Sequence, residues 1–329
     1  MTALLVSGAA VFLARASGTH PRVAVQAHSR GQASSVTRGA SLTQTASRTP
    51  SAAGTQIISA RQAVSAAQAA LAVAGGPSQV TGAALANAAT GKVLWSLALN
   101  TERPIGSIVK VMTALVVIQA GELNREITVP RSVIGYLNSQ DGPSTAGLIV
   151  GDRLTTLELL EALLLPSGCD AAYTLAQAYG PGIGAFIAKM NTEAQRLGLT
   201  GTYFSNFDGM PWPSEYSTWS TPANLITLGR YAMSDPVFAT IVSQARYSLP
   251  AGDGHHSYSW QNTNPLIGAY PGAAGIKTGD TKAAGNCLLF EATQNGRTLI
   301  GVTLGTPGDD ITATGSVATR VLNWGFSQF

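Results

Sequence analysis

An α/β fold is predicted, a sandwich of sheet and helices with a helical lobe across a cleft, and three features of the sequence predict it. Strand-like segments stand at both ends of the region 79–329, helical segments fill its middle, and one of those helices is apolar nearly all round. The first strands are expected at 81–87 and 92–96, joined through the turn-like Ala89-Thr90-Gly91 as a hairpin. Pro104 stops extended structure, and 108–120 then reads as a helix buried at the domain centre and ended by Gly121. Further helices are expected at 156–165, 170–178, 183–197 and 222–233. Strands return at 274–278, 285–292 and 298–306. A cleft between such a sheet and its helical block is where a site belongs.

The first 78 residues read differently. Residues 1–16 hold an apolar run over 3–13 followed by Ala14-Arg15-Ala16, the small-x-small form of a signal-peptidase site, so export across the cytoplasmic membrane is expected. The run is short of the roughly 20 residues that span a bilayer and has no basic residue before it. It is still the only segment suited to membrane association, which makes any tether amino-terminal. Residues 17–78 are rich in Ser, Thr, Ala, Gln and Gly, and bury too little to offset their ordering entropy, so a largely disordered tether is expected. Within it, 58–73 has the composition of an Ala-rich helix, broken by Gly75-Gly76-Pro77-Ser78.

Of the 329 residues, 45% are hydrophobic and 11% charged, enough to build a sizeable core. The net charge of +3 divides into +6 on residues 1–76, which carry six arginines and no acid, and −3 on the rest. Those arginines are scattered, without a dense run or interleaved aromatics, which argues against nucleic-acid binding. Cys169 and Cys287 have neither metal nor redox spacing, and sequence leaves their pairing open.

Three short motifs carry chemistry. In Ser107-Ile108-Val109-Lys110 the i, i+3 spacing puts a hydroxyl and an amine on one helix face. A serine needs a base to become a nucleophile, and lysine serves when burial or a second cation lowers its pKa. The helix amino-terminus adds partial positive charge for an oxyanion. Alone, the pair reads rather as an N-cap serine beside an ordinary lysine. The second motif, Leu163-Leu164-Leu165-Pro166-Ser167-Gly168-Cys169-Asp170, places a serine in the turn opening a helix, where Ser167 or Asp170 would otherwise be a cap. The third, Gly275-Ile276-Lys277-Thr278-Gly279, ends a strand and can offer an ammonium and a hydroxyl to a carboxylate; its plain alternative is an edge strand with a solvated lysine.

In this order the motifs resemble the serine, second-serine and Lys-Thr-Gly signature of penicillin-binding proteins and class A β-lactamases. The chain is similar in particular to the low-molecular-mass serine-type D-alanyl-D-alanine carboxypeptidases, over about residues 79–329. The likeness extends through Pro104-Ile105-Gly106, Met112-Thr113-Ala114-Leu115, residues 188–200 and 204–209, Ser220-Thr221, residues 262–266, Ala284-Gly285 and Trp324-Gly325-Phe326. It implies the β-lactamase/transpeptidase-like fold, an antiparallel sheet flanked by helices with a helical lobe across the active-site cleft. It also implies that Ser107 is acylated, Lys110 takes its proton, and Ser167 helps pass that proton to the departing D-alanine. Lys277, Thr278 and Gly279 would receive the substrate's terminal carboxylate, and the amides of Ser107 and Asp280 would form the oxyanion hole. The implied substrate is the peptidoglycan pentapeptide with its D-Ala-D-Ala end, β-lactams are implied covalent inhibitors, and no metal or cofactor is called for.

One departure stands out. The family usually has Asn two places after the second serine, where this chain has Cys169. A thiol offers only a weak donor, and a lost substrate contact would cost roughly 1–3 kcal/mol. Cys169 is thus a candidate substrate-binding residue of altered chemistry, or a small apolar space-filler. Asn206 and Asn264 are candidates for cleft hydrogen bonds or for turn formation, and His255 and His256 read as surface residues. A β-lactamase would need a deacylating glutamate between the second and third motifs, where only Glu193 and Glu215 stand, neither in the Glu-x-x-Leu-Asn context. An inactive wall-binding module is the remaining alternative, with Cys169 its sole support.

Overall fold

The structure, a computed structural model, describes residues 80–308 and 310–329. The export segment 1–16, the tether 17–78 and the helix expected at 58–73 lie outside the described residues, as does Gln79, where the domain was expected to begin.

Nine strands and eight α-helices follow one another among the described residues. The strands are β1 (Gly82–Asn87), β2 (Val93–Leu97), β3 (Glu126–Thr128), β4 (Arg153–Thr155), β5 (Arg246–Leu249), β6 (Tyr258–Gln261), β7 (Ala273–Thr281), β8 (Gly285–Gln294) and β9 (Arg297–Thr306). The helices are α1 (Val109–Gln119), α2 (Ser132–Asn138), α3 (Thr156–Leu164), α4 (Cys169–Tyr179), α5 (Ile183–Arg196), α6 (Pro222–Met233), α7 (Pro236–Ser243) and α8 (Ala313–Ser327). The main sheet has the order β2-β1-β9-β8-β7 and every neighbouring pair is antiparallel, which leaves β7 at an edge.

Side chains on successive residues of a strand point to opposite faces, and both faces of this sheet are covered. Leu85, Leu288, Phe290 and Leu299 turn to α8, where Val317, Ala318, Val321 and Leu322 meet them. Ala84, Ala86, Leu289, Ile300 and Val302 turn the other way, into the larger core shared with α1, α3, α4 and α6. This double cover explains why β8 and β9 read as nearly unbroken apolar runs. Sequence motifs also set the helix starts. Thr155 and Glu158 form a capping box on α3, Thr221 caps α6 ahead of Pro222, and Asp235 caps α7 ahead of Pro236.

The expected hairpin, helical block and returning strands are present, with β7 to β9 longer than expected. Two expectations need correction. The helix expected from residue 108 begins as a 3-10 turn at Gly106–Ile108 and becomes α-helical only at Val109, because the chain turns tightly there against β7. The region also does not close on strands: α8 follows β9 and supplies the cover for the sheet's second face.

Candidate active site

Ser107 lies in the 3-10 turn, and α1 is buried all round, carrying Lys110 with it into the interior. The turn has no side-chain cap, so Ser107 is not spent as an N-cap and its hydroxyl is available for other work. The Lys110 ammonium makes three contacts: Ser107 Oγ at 2.8 Å, the Asp208 carbonyl oxygen at 2.8 Å and Cys169 Sγ at 3.5 Å.

The segment that supplies Asp208 is itself locked. Asn206 Oδ1 accepts from the Gly209 amide at 2.7 Å, Asn206 Nδ2 donates to the Met210 and Trp212 carbonyls, and Thr113 of α1 donates to the Phe207 carbonyl. Asn206 is therefore a turn-former here. The buried Asp208 carboxylate accepts from Tyr136 of α2 and from the Met210 amide. Burial first, and then the Asp208 charge and hydrogen bond, push the Tyr136 phenol far above its ordinary range.

Ser167 joins α3 to α4 with a left-handed φ of +65°, an uncommon conformation for a residue with a Cβ that costs about 1–2 kcal/mol. Its Oγ is buried and has no hydrogen-bond partner among the described residues. Strain and an unsatisfied hydroxyl at one residue point to function rather than folding. The helix has Gly168 at its N-cap and no side-chain cap, and Asp170 in its first turn accepts from the amides of Ala146, Leu148 and Ala171, tying α4 to the segment before β4.

On the opposite wall stands β7. A Cβ placed on Gly279 would lie 2.5 Å from the Ile105 carbonyl and 2.8 Å from the Ser107 amide, and one on Gly106, at φ +50°, would lie 2.6 Å from the Asp280 amide. Only glycine allows the strand and the nucleophile's turn to touch this way, and the contact brings the Ser107 and Asp280 amides to one place. Thr278 Oγ1 and Thr263 Oγ1 are 2.6 Å apart. Between the walls lies a cavity of about 330 Å³ lined in part by Ser144, Ser167, Thr263, Thr278, Asp280 and Asp310.

The three motifs thus meet at one cleft, as in serine acyl-transfer enzymes. A family model described as D-alanyl-D-alanine carboxypeptidase matches residues 62–308. The chain belongs to that family. It is a serine-type D-Ala-D-Ala carboxypeptidase with the β-lactamase-like fold expected from the sequence. Among similar proteins is the D-alanyl-D-alanine carboxypeptidase of Streptomyces sp. (strain K15), 41% identical over 253 residues, which are 73% of this chain and 85% of the relative. The D-alanyl-D-alanine carboxypeptidase DacB2 of Mycobacterium tuberculosis is 34% identical, over 77% of this chain and 83% of its own. The crystal structure of the Streptomyces K15 DD-transpeptidase superposes with a TM-score of 0.70 at 38% identity, covering 76% of this chain and 97% of that one.

The structure also places the remaining candidate residues. Lys277 is not a solvated edge lysine: it is 1% exposed, and its ammonium donates to Thr278 O at 3.2 Å and Thr278 Oγ1 at 3.3 Å. Burial, joined by the Lys110 charge, holds its pKa well below the ordinary lysine range. Cys169, first residue of α4, is wholly buried and turns its sulfur to Lys110. Burial is the main reason its thiol is pushed up to about 12, with Lys110 opposing and Asp208 adding. Cys169 and Cys287 are both free. Asn264 Oδ1 accepts from the Leu266 amide, a turn contact, while its Nδ2 is buried without a partner among the described residues. His255 is half-buried, and His256, largely exposed, sets Nδ1 3.0 Å from Asp152.

Both candidate β-lactamase glutamates are engaged in contacts of their own. Glu193 is paired with Arg196 at 2.6 Å and accepts from Gln119, and Glu215 accepts from the Ala283 amide. Among the described residues no group of His, Cys, Asp and Glu is arranged to hold a metal ion, and no helix is long and apolar enough to cross a membrane. Sequence reasoning missed Asp208 and Tyr136. The signal present was an acid inside the matching stretch 204–209.

Proposed function

We propose that Ser107 is the residue acylated and Lys110 the base that activates it. The observation that carries this reading is the three-way environment of the Lys110 nitrogen. A neutral amine has two N–H bonds and one lone pair, and three groups face it. With the N–H bonds turned to the Asp208 carbonyl and Cys169 Sγ, the lone pair is left for the Ser107 proton at 2.8 Å. The same site also satisfies the ammonium formed after transfer.

In this scheme Ser107 Oγ attacks the carbonyl of the penultimate D-alanine, and the oxyanion is stabilised by the Ser107 and Asp280 amides. The unpartnered Ser167 hydroxyl relays the proton from Lys110 to the departing D-alanine nitrogen. Water then hydrolyses the ester. Lys277 keeps Thr278 oriented through its hydrogen bonds, and Thr278 with Gly279 receives the substrate strand along the open edge of β7. β-Lactams enter the same path and stop at the ester. Cys169 acts through Lys110 in place of a direct substrate contact. The peptidoglycan stem peptide as substrate fits action outside the cytoplasmic membrane, with residues 1–16 as export signal, 17–78 as tether and 79–329 as the catalytic domain.

Mass spectrometry after benzylpenicillin treatment tests the nucleophile: an adduct is expected on Ser107 in the wild type and none in Ser107→Ala. Release of D-alanine from diacetyl-lysyl-D-alanyl-D-alanine tests the reaction. An adduct on any other residue, or a fully active Ser107→Ala, would refute the assignment.

A further inference from the structure

The loop beside the nucleophile's turn is built for contact with something larger than a peptide end, an inference that rests on the peptidoglycan stem peptide being the substrate. Gly209 packs so closely on Gly106 that a Cβ there would strike the Gly106 carbonyl, and Glu215 accepts from the Ala283 amide at 3.2 Å. Ala283 lies in the turn that follows β7. The loop 209–215 therefore runs from the turn that holds Ser107 to the carboxyl end of β7.

In the scheme above, the terminal carboxylate meets Thr278 and the scissile carbonyl meets the Asp280 amide. The rest of the peptide then leaves the cleft toward residues 281–283, where this loop is anchored. Four residues of a pentapeptide remain between that carbonyl and the sugar that bears it, and extended they span at most about 14 Å. Trp212 is three residues from Gly209, within about 11 Å by the same measure. The sugars of the polymer thus come within reach of the loop.

What they meet there is aromatic surface. Trp212 is 60% exposed and Tyr216 69%, and the exposed Tyr203 stacks on Trp219 with ring centres 5.0 Å apart. Exposed singly, such rings need no explanation; grouped in 203–219 beside a cavity, they mark a binding surface. That cavity, of about 280 Å³, is lined in part by Trp212, Tyr136, Tyr173, Phe207 and Met210. Among the described residues no charged side chain lines it, and its Ser205 and Asn206 are already engaged with Thr218 and with the Met210 and Trp212 carbonyls. A pyranose ring fits such a surface, because it can lay its C–H groups on the electron-rich face of an indole or phenol. The methyl of an acetamido group suits the uncharged cavity. A membrane suits the loop less well: 203–219 holds Asp208 and Glu215 and no Lys or Arg, whereas aromatics that dock on anionic lipid are accompanied by basic clusters. Lys282, next to Ala283, is a single charge.

We infer that Trp212, Tyr216 and the cavity beside Trp212 bind the N-acetylated sugar chain of peptidoglycan while its stem peptide occupies the cleft. The covalent steps are unchanged.

The test compares kcat/KM for D-alanine release from one pentapeptide, free and attached to a soluble glycan of N-acetylated sugars. The glycan-bound form is expected to react about ten-fold faster in the wild type. Trp212→Ala and Tyr216→Ala should each lower that ratio by about two- to four-fold, and a general loss of activity in either variant cancels from it. A tetramer of β-1,4-linked N-acetylglucosamine, followed by tryptophan fluorescence, should bind the wild type saturably and Trp212→Ala at least about five-fold more weakly. A wild-type ratio of one, a ratio unchanged in both variants, or no saturable binding of the tetramer would overturn the inference. Binding to phosphatidylglycerol vesicles that both variants lose, together with a ratio of one, would assign the loop to a membrane surface instead. Benzylpenicillin labelling of Ser107 separates the two kinds of failure. Without labelling or D-alanine release, the proposed function falls and this use of the loop with it, whereas intact labelling and release with a ratio of one refute the glycan site alone.

Discussion

The two faces of the main sheet solve opposite problems. Against α8 the contacts are Leu85, Leu288, Phe290, Leu299, Val321 and Leu322, an apolar layer whose stability comes from area and fit. Against the helical lobe the sheet meets a core of the same kind, but one that also contains Lys110, Ser167, Asp208, Lys277 and Thr278, all buried. Burying such groups costs several kcal/mol each unless partners are supplied, and here partners are supplied to all of them except the Ser167 hydroxyl. The catalytic face is thus expensive to build and specific in its contacts, and the α8 face stabilises the domain that holds it.

This contrast is open to experiment, beginning with its largest consequence. Lys110→Met removes the base while keeping the volume. Acylation by benzylpenicillin should slow by on the order of 10⁴-fold, with a melting temperature lowered less than by any large-to-small change under α8. A collapse of the fold in this variant would erase the division of labour between the faces.

Next comes Leu322→Ala, on the other face. It should cost about 2–5 kcal/mol in urea unfolding, while kcat/KM of the folded enzyme stays within about two-fold. A loss of rate matching the loss of stability would show that the two faces are not separable.

A smaller effect concerns Glu291 on β8. Burial raises its carboxyl to about 7 from 4.5. Between these values the native chain keeps a proton that the unfolded chain releases, so this group's contribution to stability falls as pH rises from 4.5 to 7. Glu291→Gln should therefore stabilise the protein at pH about 8, by on the order of 1 kcal/mol after discounting for partial exposure, and give no gain near pH 4. Thermal melts at both pH values decide it.

Cys169 should give no signal at all. With its thiol raised to about 12 and wholly buried, iodoacetamide at pH about 8 should leave it unmodified in the native enzyme and label it only after unfolding. Labelling of the folded protein would mean that the Lys110 pocket opens to solvent.

Much of this was legible in the sequence where local rules decide. The i, i+3 spacing of Ser107 and Lys110, the glycine of Lys277-Thr278-Gly279 and the Ala89-Thr90-Gly91 turn each specify geometry over a few residues, and each is where it was expected. Resemblance was needed to bring the three motifs together, because contacts between residues 107, 167 and 277 are set by tertiary packing. The helix α8 was missed although Thr314, Val317, Ala318, Val321, Leu322 and Gly325 repeat with helical spacing. Its start, Ile311-Thr312-Ala313-Thr314, looks like more strand, with β-branched residues and no side-chain cap. A solvated lysine stood as the plain alternative for Lys277 because nothing in a single edge strand reveals what covers it. Asp208 escaped because its backbone carbonyl, not its side chain, reaches Lys110.

The contact between Gly106 and β7 also bears on how this enzyme can change over generations. A side chain at either Gly106 or Gly279 would strike backbone atoms, which have no rotamer into which to retreat. In a library that substitutes every position and is selected for labelling by a fluorescent penicillin, these two glycines should be as intolerant as Ser107 itself, although neither takes part in the chemistry through a side chain. Resistance arising by substitution must then be sought elsewhere around the cleft, where side chains can shift without prising the nucleophile's turn away from the strand.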